Sequence, residues 1–169
     1  MSLRSALRSA ALPCTLVLAA VALTGCASAV SLEPAADAKD TACADVVVRL
    51  PATVADQAAR ETGAQGTGAW GDPASVLLRC GVPAPGPTTD ECVSVNGVDW
   101  IQDDSDAPTY RFTTFGRTPA VEVILDYDRV SGATTLADLA SAVSVIEPTA
   151  QCTDVTDVPE PTSTPTPAG

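Results

Sequence analysis

The chain has 169 residues, with 21 acidic side chains against nine basic ones and a formal net charge of −12. That surplus repels phosphate backbones and excludes nucleic acid as a partner. There is no histidine, and the one lysine, Lys39, lies near the N-terminus, so imidazole-based triads and a Ser–Lys dyad in the globular part are excluded too.

The chain begins MSLRSALRSAALPCTLVLAAVALTGC. Arg4 and Arg8 precede an uncharged run from Ala10 to Gly25, shorter than the ~20 residues of a membrane-spanning helix. A basic start, a short apolar stretch and small residues at its close predict a signal peptide over 1–25. Leu23-Thr24-Gly25-Cys26 resembles a bacterial lipobox, which implies transfer of a diacylglyceryl group with palmitate-type chains to the Cys26 sulfur as a thioether, followed by cleavage between Gly25 and Cys26. Two or more acyl chains anchor stably, so the expected location is the outer face of the cytoplasmic membrane, lipid-anchored through Cys26. Residues 26–42 are small and polar and read as a flexible tether. Residues 153–169, ending PEPTSTPTPAG, read as a Pro/Thr-rich disordered tail. Between them, 43–152 is long enough for a single globular domain.

Within the domain, DVVVRL (45–50) is predicted as a strand from its β-branched run. After Pro51, ATVADQAARETG favours a helix stopped by Gly63. SVLLRC (75–80) reads as the next strand. ECVSV-NG-VDWIQ predicts a type I′ hairpin turning on Asn96-Gly97, with Val95 facing Val98 and Val93 facing Trp100 on one side, Ser94 and Asp99 on the other. TYRFTTF and AVEVILDY flank Gly116-Arg117-Thr118-Pro119 as a second hairpin. Its Val121, Val123 and Leu125 point one way, Glu122 and Asp126 the other. TTLADLASAVSVIEP puts Leu136, Leu139, Ala140, Val143 and Ile146 on one helical stripe, with Thr135 and Asp138 as a capping box and Pro148 as the stop. The expected fold is α+β: a mostly antiparallel sheet of about five to six strands covered on one face by two helices.

Setting aside Cys14 in the signal and Cys26, four cysteines remain, which in an exported chain imply two disulfides with three connectivities open. The expected pairs are Cys80–Cys92, closing a Pro-rich loop, and Cys43–Cys152, joining the domain's ends. Their spacing suggests neither a zinc site nor a CxxC redox motif.

GTGAWG (66–71) spells a dinucleotide fingerprint but lacks the preceding strand and following helix, so it reads as a glycine-rich turn with Trp70 in the core. Asp99, Asp103, Asp104 and Asp106 lack calcium-loop spacing and read as a solvated acidic loop. No metal and no cofactor is expected. A carboxylate pair, Asp99 with Glu122 or Asp126, is the remaining catalytic arrangement. Trp70, Arg79, Asp99, Trp100 and Arg117 form a candidate ligand-binding set, since arginine beside tryptophan binds anionic or sugar groups. The alternative is that the tryptophans fill the core and an arginine pairs with Asp99.

Several stretches taken together resemble a known family: Cys43, Leu50-Pro51, Ala69-Trp70-Gly71, Arg79-Cys80-Gly81-Val82, Cys92, Gly97-Val98-Asp99-Trp100 and Thr114-Phe115-Gly116-Arg117. The family is the actinobacterial "domain of unknown function 3515", and the resemblance covers about residues 43–146. It implies an exported protein or lipoprotein outside the main membrane of a walled cell. It transfers no activity. The expected function is therefore that of a noncatalytic binding or accessory module meeting an envelope protein or cell-wall component. An envelope glycan hydrolase using carboxylates is the alternative.

Overall fold

In the computed structural model, which describes residues 28–153, the chain runs α1 (Thr41–Val47), β1 (Thr53–Val54), β2 (Gln57–Arg60), β3 (Thr67–Trp70), β4 (Val76–Val82), β5 (Cys92–Val95), β6 (Val98–Asp106), β7 (Thr109–Thr114), β8 (Ala120–Asp126) and α2 (Gly132–Val143). The strands form one eight-stranded antiparallel sheet in the order β1-β2-β3-β4-β8-β7-β6-β5. The signal peptide, Cys26 and the tail beyond Thr153 lie outside the described residues.

The clearest local signal folds as expected. Asn96 and Gly97 take φ of 51° and 79°, as a type I′ turn requires. Val95 pairs with Val98, Val93 with Trp100 and Ser94 with Asp99. The second hairpin pairs Phe112 with Val123 and Thr113 with Glu122. Strand β6 outruns β5: past the bond from Gln102 N–H to the Glu91 carbonyl, Asp103 to Asp106 border no strand on that side among the described residues.

Three segments differ from expectation. The valine run is not a strand: α1 is capped by Asp40, whose carboxylate accepts from the Ala42 N–H at 2.8 Å. Cys43 and Val46, one helical turn apart, are both buried, so burial of that face overrides β-propensity. The expected helix after Pro51 is the hairpin β1–β2. Its turn residues Ala55 and Asp56 both sit at positive φ (46° and 62°), and the Ala55 N–H donates to Asp138 Oδ2 at 2.8 Å. That contact from α2 holds a left-handed alanine that local preference disfavours. The G-x-G-x-x-G stretch is strand β3 rather than a turn, with Gly66 and Gly71 at positive φ just outside its two ends. These segments raise the strand count to eight.

Leu136, Leu139, Ala140 and Val143 of α2 are buried as expected, but Ser131 rather than Thr135 caps it, and it ends at its C-cap Ser144, before the buried Ile146 and the expected stop at Pro148. Thr135 lies inside the first turn and returns its hydroxyl to the Ser131 carbonyl at 2.8 Å. Both helices pack on one face of the sheet. The core there joins Trp70, Val76, Leu78, Trp100, Phe112, Val121, Val123 and Leu125 to Val46, Leu136, Leu139 and Val143.

The disulfides correct the expected pairing: they are Cys43–Cys80 and Cys92–Cys152, with Cα separations of 5.4 and 6.4 Å. Cys80 points to the helix side of β4, where α1 brings Cys43. Cys92 lies on the edge strand, with β8, β7 and β6 between it and β4. Four interstrand steps of ~4.8 Å carry it far beyond the ~7 Å a disulfide tolerates.

Part of the expected tether also belongs to the fold. Val30 bridges Thr62, the Asp37 N–H donates to the Gly81 carbonyl at 3.0 Å, and Ala38 is buried. Gly81, at φ 98°, leaves no room for a Cβ beneath Asp37 and Ala38.

Candidate functional site

The five candidate binding residues separate to both sides of the sheet. Trp70 and Trp100 lie in the helix-side core, each at most 1% exposed. Trp70 Nε1 donates to the Pro51 carbonyl at 3.0 Å, and its ring lies where a Cβ on Gly68 would sit. Trp100 Nε1 is buried without a hydrogen-bond partner among the described residues. Arg117, in the β7–β8 turn, is buried and donates to the carbonyls of Ile146 and Gly97. Burial lowers its pKa from the usual arginine value, against the opposing charges of Glu147 and Asp99. It fastens the segment after α2 to the Asn-Gly turn and is not available to a ligand. Asp99 forms no ion pair among the described residues; its Oδ2 accepts the Cys152 N–H at 2.8 Å.

Arg79 and Asp99 are half-buried on the face opposite the helices. Strand register places Thr67, Arg79, Glu122, Thr113, Ile101 and Cys92 in one row across that face. The adjacent row is Arg60, Ala69, Leu77, Ile124, Arg111 and Asp103. Glu122 is 5% exposed and lies between two arginines. Its Oε1 accepts from Arg79 Nε at 2.8 Å and lies 2.7 Å from Nη2, while Arg111 Nε stands 3.4 Å from Oε2. Asp103 faces Arg111, and its carboxylate accepts from Ser105 Oγ at 2.6 Å and Ser105 N at 3.0 Å. Those bonds, and more weakly Arg111, hold its pKa below the ordinary carboxylate value. Two arginines against two carboxylates leave this cluster near neutrality, so it has the character of an ion-pair network and not of an anion trap.

At the β5–β6 end of the same face the surface becomes concave. The crossing from β4 to β5 and the C-terminal segment run on either side of a cavity of about 510 Å³. Ile101 and Phe115 contribute its apolar lining; Thr88, Thr89, Asp90, Gln151 and Thr153 contribute polar groups. The surrounding loops are tied down. Thr88 Oγ1 donates to Asp90 Oδ2 at 2.7 Å. Thr149 donates twice to the Gly116 carbonyl, from N at 2.6 Å and Oγ1 at 2.9 Å. Gly116, at φ 68°, lies so close under Ala150 that a side chain there would collide with its backbone. The Cys92–Cys152 bond and the Asp99–Cys152 contact complete the wall.

Residues 9–152 match the profile of a family described as "Protein of unknown function (DUF3515)". The chain belongs to the DUF3515 family. No curated protein and no solved structure matches it. The DUF3515 residues singled out in the sequence now have structural places. Trp70 ends β3 and Gly71 follows it, Arg79 to Val82 form the end of β4 that meets α1 and the N-terminal segment, and Val98 to Trp100 open β6. Phe115-Gly116-Arg117 form the turn on which the C-terminal segment rests. Most of these residues therefore hold the fold, and Phe115 also lines the cavity.

The residues missed in the sequence are Arg111, Ile101, Phe115 and Gln151. Alternation within the two hairpins placed Ile101 and Phe115 opposite Trp100 and Thr114, which was the signal for a second, helix-free apolar surface. Nothing local foretold the wall that the C-terminal segment supplies.

Proposed function

We propose that this protein is a membrane-anchored extracytoplasmic lipoprotein, held by acylated Cys26 at the outer face of the cytoplasmic membrane. Its domain acts there as a noncatalytic binding or accessory module of the cell envelope. The observation that carries the binding role is the helix-free face of the sheet. Leu77 and Ile124 lie outside the core on that face, and Ile101 and Phe115 line a preorganised cavity at its β5–β6 end, although an antiparallel sheet facing only water would show polar side chains there. The lipobox-like Leu23 to Cys26 supports the anchor.

The state of the carboxylates favours this reading over a glycan hydrolase. Glu122 has both oxygens next to guanidinium groups, and Asp99 is engaged by a backbone N–H. Asp126 Oδ1 accepts the Asp128 N–H at 3.0 Å. The pair a hydrolase would need is thus committed to holding structure.

Cell fractionation tests the location: the wild-type chain should sediment with membranes and take up labelled palmitate, and Cys26→Ala should do neither. Membrane retention of an unacylated Cys26→Ala chain would refute the anchor. Photocrosslinking from position 124 in intact cells tests the role. A discrete adduct is expected, and its absence counts against a binding face.

A further inference from the structure

We infer that the cavity between the β4–β5 crossing and the C-terminal segment is a binding site for a neutral saccharide. The inference rests on the reading above that the domain binds a ligand and does not transform it; it does not depend on the lipid anchor. Four observations lead to it.

Size comes first. At about 510 Å³ the cavity falls within the ~300–1,000 Å³ of small-molecule sites, and its loops are pinned by a disulfide and backbone hydrogen bonds. A site already ordered spends little affinity on ordering itself.

Second is the lining. The chain has six aromatic side chains. Trp70, Trp100 and Phe112 are in the core, Tyr110 packs against it, and Tyr127 stacks on Tyr110 and Phe112. Phe115 belongs to none of these groups and lines the cavity beside Ile101. The electron-rich face of an aromatic ring attracts the weakly positive C–H groups that one side of a pyranose presents.

Third, the polar lining suits hydroxyls. Thr89 and Thr153 donate and accept, Gln151 offers an amide of both kinds, and Asp90, held by the Thr88 hydroxyl through one oxygen, accepts through the other.

Fourth, the charge excludes competitors. Among the described residues no arginine or lysine lines the cavity, and Asp90 does; Glu91 and Asp103 stand beside Asp90 in the neighbouring concavity. Anionic groups are repelled. The chain's own continuation past Thr153 is such a group, with Asp154, Asp157 and Glu160 and no basic residue.

The three isoleucines make a direct test possible. Ile101 lines the cavity, Ile124 lies on the same face outside it, and Ile146 is in the core. The mature full chain, carrying ¹³C-labelled isoleucine δ1-methyl groups, is titrated separately with N-acetylglucosamine trimer and with maltotriose. At least one sugar should shift the Ile101 methyl saturably and leave Ile124 and Ile146 in place. Phe115→Ala should weaken that binding roughly three- to tenfold, the range expected for loss of an aromatic contact. An unmoved Ile146 signal certifies the fold of that variant. Gln151→Ala, at an exposed position, should weaken binding as well.

Three results would overturn the proposal: an Ile101 methyl indifferent to both sugars, a shift that Phe115→Ala and Gln151→Ala leave unchanged, or a comparable shift on deleting 154–169, which would make the tail the occupant. Cleavage of either trisaccharide during the titration would instead sink the noncatalytic reading, with an Ile101 shift still locating the sugar.

Discussion

Replacing Cys92 by serine should free Cys152, and no other cysteine. The structure joins these two residues over a sequence separation of 60 and joins Cys43 to Cys80 over 37. The two loops do not overlap, so their effects on the unfolded chain are close to independent. Loop-closure entropy gives about 4.3 kcal/mol for the Cys92–Cys152 bond and about 3.9 kcal/mol for Cys43–Cys80. Against a total stability of ~5–15 kcal/mol, either loss is severe. If Cys80 were joined to Cys92, the same model would give only about 2.8 kcal/mol for that short loop. Cys92→Ser, Cys152→Ser and the double variant should therefore lose similar stability in denaturant titrations. Alkylation of the unfolded single variant, followed by peptide mapping, should place the one labelled thiol of the domain at Cys152. A label at Cys80 would refute the pairing and, with it, the course of the C-terminal segment over the sheet. A loss below about 1 kcal/mol would show instead that this segment is dispensable to the fold.

Gly68→Ala should destabilise by about 1–3 kcal/mol as overpacking, because the new Cβ would lie 2.7 Å from Trp70 Cη2 and 2.8 Å from Leu50 Cδ1; thermal unfolding checks this. Glu122→Gln should cost about 1–2 kcal/mol, less than a fully buried pair because the Arg79 and Arg111 side chains are 31% and 45% exposed. Arg111→Gln should cost under about 1 kcal/mol, and the reverse ranking in denaturant melts would contradict the geometry. Burial first, then the neighbouring Tyr110 and Glu91, raise the Tyr127 pKa above its ordinary value near 10. The folded state then holds that proton longer than the unfolded one, so stability should fall as pH rises past ~10, and Tyr127→Phe should flatten the decline in pH-dependent melts.

Where the fold was legible in the sequence, the information was local. Asn96-Gly97 sets both turn dihedrals and the register of four residues on each side. The stripe from Leu136 to Val143 needs only a helical period. Where it was not legible, a distant partner decides. Ala55 and Asp56 resemble helix residues, and their turn is held by Asp138 from the last helix. The valines of 46–48 resemble a strand, and Cys43 with Val46 turns them into a helix by packing under β4. The candidate site shows the same division. Alternation separates Ile101 and Phe115 from the core residues beside them. The cavity exists only because residues 149–153 return to a turn more than thirty positions earlier, as in the bond from Thr149 to Gly116. Cysteine spacing alone carries no record of that return, which is why pairing by loop length failed.

The unequal lengths of β5 and β6 carry a consequence for self-association. An uncovered strand margin is a template on which a second chain can add its own strand, and repetition of that step leads to fibrous aggregates. Here the uncovered margin bears exposed Asp103, Asp104 and Asp106. Two copies approaching margin to margin would bring six carboxylates together, so this margin resists stitching one sheet to the next when the chain is crowded.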